Sequence, residues 1–519
     1  MAESRTKKSV INSITSVTTQ VATVVINFVI KTIFIHTLGS EYLGVNGLFS
    51  NIITMLSLAD LGIGVAIPYS LYKPLAEKDH RKVNSLMHFY AKIYTTIGII
   101  VLLVGLSLLP FLPYLIKGET TVPQIHLIYA LFVAHSAFSY FFVYKRFLIE
   151  SDQKGYITSR ITFAFNLLVS IVQAIMLLCF QSFILYLVSA IVCIVTQNLY
   201  ISYKASKMYP YLKQKNKEKI PKEDIDDIKK NVSALFIYKI GSVITNGTDN
   251  LVISKFLGLI PVGLYSNYIL IVNSLNNVLN QLFNAVTSSI GNLVVTTNER
   301  RSKNVFECLT FLNFWLYSVC AICLCVLFNS FIALWIGKDY LLSFSVVVLL
   351  AINFYLTGMG MVTTSFRNAY GLFWKGKYRP IIMVVINIVI SILLVKPLGV
   401  AGVLVGTVVS RILTVAWLDP YIVYHYGFHR SSKRYFIKYT IFLILFLGTM
   451  LLTNFVIGFF PDGNFFWFLL KAVFTFCLVN GIFLLIFHDT GEFHYFFDKL
   501  QGFWFRIRQK KQSRYDTLN

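Results

Sequence analysis

Lys239, Ser242, Asn246, Asp249 and Asn250 lie in SALFIYKIGSVITNGTDNLVISKFLG (233–258), a stretch that is otherwise apolar and long enough to cross a bilayer. At 3.6 residues per turn the five share one arc of roughly 100°, so the helix carries a single polar stripe. A charge facing hydrocarbon at mid-bilayer is costly, and the stripe is therefore expected to face protein or a water-filled cavity. Gln20, Thr23, Asn27 and Lys31 form the same stripe earlier in the chain, at an offset of 219 residues. Asn273, Asn277, Asn280, Asn284 and Ser288, with Asn276 and Gln281 beside them, make a third stripe, and Asn51, Thr54, Ser57 and Asp60 a fourth. Amides and hydroxyls both donate and accept hydrogen bonds, which suits sugar hydroxyls. Lysine and arginine suit phosphate.

Each group also admits a structural role. Lys31 lies near the outer end of its helix and either lines a cavity or snorkels. Lys239 sits about 12 Å deep by helical rise, which favours a cavity. Arg411, inside VVSRILTVAW, either lines the cavity or pairs with Asp419 or a neighbouring carbonyl. Lys471 is expected to snorkel. Asp60 and Asp249 are either partners of these cations or sites of proton or sodium coupling. The asparagine row is either a sugar site or interhelical glue. Cys320 and Cys323 form a C-x-x-C inside an apolar run with no matching His or Cys pair, so they read as small buried residues and not as a metal site. There is no phosphate-binding loop of the G-x-x-x-x-G-K-[ST] type and no nucleophile motif; neither a cofactor nor an enzymatic reaction is inferred.

The elements that must position these stripes are membrane helices. The 519 residues are 56% hydrophobic and only 13% charged, with a mean hydropathy of +0.67. The apolar runs are continuous and not alternating, which excludes a barrel and gives an all-α polytopic membrane protein. Fourteen spans are expected, near 12–36, 46–72, 87–110, 124–144, 157–178, 183–203, 232–256, 263–290, 305–329, 341–365, 380–395, 401–424, 436–459 and 465–487. The net charge of +23 does not imply a nucleic-acid partner, because its placement reports topology. Only Lys117, Lys255, Lys338 and Lys396 lie in outer loops, and Lys31, Lys239, Arg411 and Lys471 within spans. The rest of the 46 Lys and Arg fall at the termini and in every second loop, which places both termini in the cytoplasm. The tail FRIRQKKQSR (505–514) has the composition of a segment that touches anionic headgroups.

The chain also repeats itself. Arg146, Lys154, Gly155, Asn166, Ser170 and Ile171 match Arg367, Lys375, Gly376, Asn387, Ser391 and Ile392 at an offset of 221. GLFSN (47–51) mirrors GLYSN (263–267), each following a Leu-Gly pair, Leu38-Gly39 and Leu257-Gly258. Six spans separate the matched elements, so the halves enter the membrane with one polarity and are related by a pseudo-two-fold axis along its normal. The expected organisation is a six-helix bundle over 1–203, a basic cytoplasmic linker over 204–231, a second six-helix bundle over 232–424, two further helices over 425–487 and a basic tail over 488–519. Such a duplication is a transporter architecture with its site between the halves.

HTLGSEYLGVNGLFSNIITMLSLADLGIG (36–64), the glycine-rich PLGVAGVLVGTVVSRI (397–412) and the six-plus-six-plus-two plan resemble polysaccharide-repeat-unit flippases of the MOP superfamily, whose folds include the MATE-like transporters. The resemblance covers nearly the whole chain. It implies a bacterial plasma-membrane protein that moves a polyprenyl-diphosphate-linked oligosaccharide from the cytoplasmic to the outer leaflet, and that supplies a polysaccharide polymerase or ligase. On that reading Lys31, Lys239 and Arg411 attract the diphosphate, and Asn27, Asn246, Asn250, Asn273, Asn277 and Asn280 replace water around the sugars. Rival readings are a drug-cation exporter or a lipid II flippase of the same superfamily, a membrane polymerase or ligase, and a receptor or scaffold. The driving force stays open between membrane potential, an ion gradient and removal of product, with Asp60 and Asp249 as the candidates for ion coupling.

Overall fold

The computed structural model describes residues 2–56, 70–72, 74–117, 121–152, 154–214, 247–296, 299–461 and 463–496, without the side chains of 2–17, 20, 21, 213, 281–289, 291–296, 373 and 374. Among the described residues the only regular secondary structure is helical. Nine of these helices, or ten if one bent pair counts as a single span, are long and apolar enough to cross a membrane. The protein is an all-α polytopic membrane protein. The expected spans 46–72 and 232–256 run across residues outside the description, and the full count of fourteen stays an expectation.

The helices are α1 (Ala2–Leu38), α2 (Ser40–Leu56), α3 (His80–Ser107), α4 (Ile125–Tyr140), α5 (Tyr144–Ser151), α6 (Gly155–Phe180), α7 (Phe183–Met208), α8 (247–257), α9 (Leu259–Thr296), α10 (Glu299–Trp335), α11 (Phe344–Ala369), α12 (Arg379–Leu398), α13 (Val400–Leu413), α14 (Val415–Ile422), α15 (Lys433–Ile457) and α16 (Phe465–Phe487). Short polar residues start several of them. Asp79, Ser182 and Asn464 accept from the backbone N–H three residues on, at 2.9, 3.3 and 3.0 Å, satisfying donors that the first helical turn leaves open. The chain forms two compact units, Met1–Gln281 with Pro380–Gly406 and Leu282–Arg379 with Thr407–Asn519.

In the first unit the repeat becomes visible as geometry. Gly39 and Gly258, the glycines of the two Leu-Gly pairs, have φ of +86° and +98°, each closing the preceding helix. Gly39 N–H donates to Ile35 and Gly258 N–H to Ser254, and these acceptors are themselves 219 residues apart. Helices α2 and α9 then cross at glycines. A Cβ on Gly44 would overlap the carbonyl of Leu259, and a Cβ on Gly263 would overlap the carbonyl of Ser40. These contacts are reciprocal: 40 and 259, like 44 and 263, are equivalent positions, as in a two-fold interface. Gly47 against Ser266 continues the pattern.

Loops that the charge distribution assigns to one side meet at one end of this unit. Asn84 donates to the carbonyls of Tyr211 (3.1 Å) and Gln214 (2.9 Å), and Tyr209 donates to Asp152 (2.8 Å). At the lysine-poor end Lys117 N–H donates to Ser254 O (3.2 Å), and Thr121 to Glu41.

Two expected spans are broken. The fourth bends by 43° between α4 and α5. Phe142 there adopts φ +66°, and Asn198 on α7 donates to the carbonyls of Ser139 (2.9 Å) and Phe141 (3.2 Å) that the break would leave bare. The twelfth divides into α13, α14 and a π-helical turn at Val423–Gly427, with Pro420 removing one helical hydrogen bond.

The second unit is held by aromatic packing. Phe314 of α10 stacks on Phe442 of α15 at 4.2 Å and meets Phe483 of α16 at 5.2 Å, while Trp315 Nε1 donates to Asn480 at 2.9 Å. These contacts attach helices α15 and α16 to α10. Lys471, expected to snorkel, is only 4% exposed. It falls on the buried stripe of α16 with Thr475, Val479, Phe483 and Phe487, four residues apart along one face, and that register carries it inward.

Candidate functional site

Within the first unit, α2, α4, α6 and α7 line an open-sided cavity of about 470 Å³. Its polar lining is Asn46 and Ser50 from α2, His135 from α4, Asn166 and Gln173 from α6, and Gln197 from α7. Phe132, Phe165 and Tyr186 supply aromatic walls. Asn166 and Gln173 are seven residues apart in α6, two turns on one face, and lie near mid-helix, so the amides sit deep in the apolar layer. Gln173 Nε2 reaches Tyr186 O at 3.5 Å, and Gln173 and Gln197 are both buried. An amide placed in hydrocarbon must find partners or a wet cavity, and several converging on one hollow make a surface able to hydrogen-bond a hydroxyl-rich solute.

Lys31 stands one aromatic layer away. Its Nζ lies 5.6 Å from the Phe34 ring centroid, and Phe34 packs edge-on against Tyr186 at 5.5 Å. Asn27, one turn earlier, is exposed, as are Asn273 and Asn277 on α9, and Asn280 is half-buried. Asn250 and Asp249 differ: both are 7% exposed, Tyr265 Oη donates to Asp249 at 3.3 Å, and the neighbouring Thr248 bonds Asn387 at 3.1 Å. Here α8 meets α9 through Asp249 and α12 through Thr248, and neither Asp249 nor Asn250 is on an open surface. Lys239, Asn246 and Asp60 lie outside the described residues.

Arg411 belongs to the second unit, where its Nη1 donates to Thr357 Oγ1 of α11 at 2.7 Å. The carboxylate considered as its partner is engaged elsewhere. Asp419, fully buried, accepts from Arg367 Nη1 at 2.7 Å and from Arg379 Nη1. The break at Thr414 separates Arg411 from Asp419, and the ends of α11 and α12 supply the guanidinium groups.

No protein-family model matches the sequence, and no curated sequence does. Among solved structures the chain is similar to an inward-facing multidrug resistance MATE family transporter of the MOP superfamily, with a TM-score of 0.62 and 17% identity over 78% of this chain and 98% of that one. It is similar to the lipid II flippase MurJ in an inward closed conformation, with a TM-score of 0.62 and 13% identity over 92% of this chain and 99% of that one. An outward-facing MATE transporter matches at 0.58 and 17% identity, over 79% of this chain and 94% of that one. The chain has the fold of these transporters. Their likeness agrees with the superfamily resemblance read from the sequence and does not divide its subtypes.

The cavity was missed in the sequence because its polar residues, one or two per helix, are spread over four separate helices. Asn166 entered only as a repeat match. The seven-residue spacing of Asn166 and Gln173, and Gln197 as the lone amide facing them from α7, were the available signals.

Proposed function

We propose that the protein is a flippase for a polyprenyl-diphosphate-linked oligosaccharide, moving it from the cytoplasmic to the outer leaflet by alternating access. The observation that carries this reading is the amide-lined, aromatic-walled cavity at mid-helix in the first unit, with Lys31 one ring away. Asparagine and glutamine with aromatic faces suit sugars, and a cation beside them suits the diphosphate. An exporter of organic cations would place carboxylates on this surface. Here the exposed stripe positions among the described residues, Asn27, Asn273 and Asn277, carry amides, Lys31 is half-buried, and Asp249 is buried. The similarity to MurJ extends over 92% of this chain, against 78% for the MATE transporter, in keeping with the longer helical plan.

The reciprocal crossing of α2 and α9 supplies the moving part. Backbones in contact at Gly44 and Gly263 hold the lysine-poor end together, and release of substrate on that side requires them to separate. The termini and basic loops are on the cytoplasmic side in this reading, by the positive-inside rule. The test is reconstitution with a lipid-linked oligosaccharide and measurement of its leaflet exposure. Asn166→Leu/Gln173→Leu is expected to lower the rate more than tenfold at unchanged protein level, and an unchanged rate contradicts the assignment of the cavity.

A further inference from the structure

A second cavity, of about 210 Å³, lies in the second unit between the first turns of α10 and α15. It is distinct from the amide-lined cavity and from Arg411. Lys303 and Glu307 line it from α10, one turn apart at 3.2 Å, and Arg434 and Lys438 line it from α15, also one turn apart. Tyr435 and Tyr439 form its wall. The surrounding contacts place it at the lysine- and arginine-rich end of the unit: His429 meets Glu299 at 2.9 Å, and Lys438 pairs with Glu492 beyond α16.

The charges do not cancel. Lys303 has Glu307 and Lys438 has Glu492, but Arg434 makes no ion pair among the described residues. A guanidinium presents a planar fork of donors that fits phosphate oxygens two at a time. Its setting is the start of a membrane helix, where headgroups lie, with tyrosine rings that favour the same layer. Phe442, one turn deeper on α15, turns the cavity floor apolar.

We propose that this cavity is a binding site for the phosphate ester of an anionic lipid headgroup, one with no compensating cation of its own, in the leaflet on the basic side. Arg434 takes the phosphate, Lys303 and Lys438 set the positive field, and the acyl or prenyl chain leaves along α15. The site serves recognition of the surrounding bilayer and is independent of the flippase reading.

The test uses the full chain purified in detergent and titrated with phosphatidylglycerol, phosphatidylcholine and inorganic phosphate, with bound lipid read by native mass spectrometry. Arg434→Gln/Lys303→Gln is expected to weaken phosphatidylglycerol binding at least tenfold, and Arg434→Lys to weaken it less. Arg434 is exposed and Lys303 half-buried, each near a helix start, and a matched thermal midpoint verifies folding. Lys377→Gln, which alters a cation stacked 4.9 Å from Tyr378 at another loop, is expected to leave binding unchanged. Phosphatidylcholine is expected to bind parent and variant alike, and inorganic phosphate to compete only in large excess. Equal phosphatidylglycerol affinity in parent and double variant, or competition by inorganic phosphate at equal concentration, overturns the proposal.

Discussion

Replacing Asp419 with asparagine keeps the side-chain shape and removes the one negative charge from a buried cluster of three. Arg367 is 1% exposed and Asp419 fully buried, and Arg379 completes the group. The native cluster carries one net positive charge; Asp419→Asn leaves two guanidinium groups facing a neutral amide. Removing one partner of a buried pair costs about 3–5 kcal/mol, because the remaining charge has no compensation. Either arginine-to-glutamine change leaves a neutral ion pair, and Arg379→Gln is expected to cost less than Arg367→Gln because the Arg379 side chain is 10% exposed and that of Arg367 2%. Adding Arg379→Gln to Asp419→Asn is expected to restore part of the loss, a non-additivity that marks a shared network. Arg411→Gln removes the bond to Thr357 and is expected to cost about 1.5–3 kcal/mol, the range for hydrogen bonds to charged groups. Reversible unfolding by sodium dodecyl sulfate in mixed micelles measures each value. A coupling energy between positions 419 and 367 above about 1 kcal/mol, with coupling between 419 and 411 below about 0.5 kcal/mol, is the expected pattern. Equal coupling to both arginines, or an Asp419→Asn variant no weaker than Arg411→Gln, refutes the placement of the charge.

Other outcomes follow from separate contacts. Asn198→Ala leaves two carbonyls at the α4–α5 break without their donor and is expected to cost about 2–4 kcal/mol in the same unfolding assay. Gly44→Val drives a side chain into the Leu259 carbonyl; cross-linking of a Gly47→Cys/Ser266→Cys pair, efficient in the parent background, is expected to fall severalfold in that variant. Glu492 is pushed up by burial but held below the usual carboxylate range overall by the Lys438 ammonium. Its contribution is present above the ordinary glutamate pKa and lost as pH falls through the lowered one, so stability is expected to decline below about pH 4.3 in the parent and to decline less in Lys438→Gln.

The reach of the sequence differs from feature to feature. Apolar run length located the helices because a bilayer fixes how much hydrocarbon must be crossed. The repeat was legible at Gly39, Gly258 and the GLFSN and GLYSN segments because a left-handed turn and a backbone-to-backbone crossing admit almost nothing but glycine. Periodicity defines the face of α1 that carries Asn27 and Lys31 and the face of α9 that carries Asn273 and Asn277, since one helix suffices to define a face. It does not tell what meets Asn250 and Asp249, both buried with Tyr265 donating to Asp249, because which neighbour covers a stripe is a tertiary property. Asp419 illustrates the same limit: Arg411 was closest in sequence, yet the partners came from the ends of α11 and α12. The breaks in the fourth and twelfth spans left only faint marks, Pro420 in one and no proline at all in the other.

Leaflet exposure of a lipid-linked oligosaccharide in proteoliposomes tests the central claim most directly. A glycosidase outside the vesicles reads how much sugar has crossed. The account predicts time-dependent exposure with the parent protein, above protein-free vesicles, and loss of that exposure in Asn166→Leu/Gln173→Leu. Parent protein that exposes no more sugar than empty vesicles, or a double variant that works as well as the parent, contradicts it.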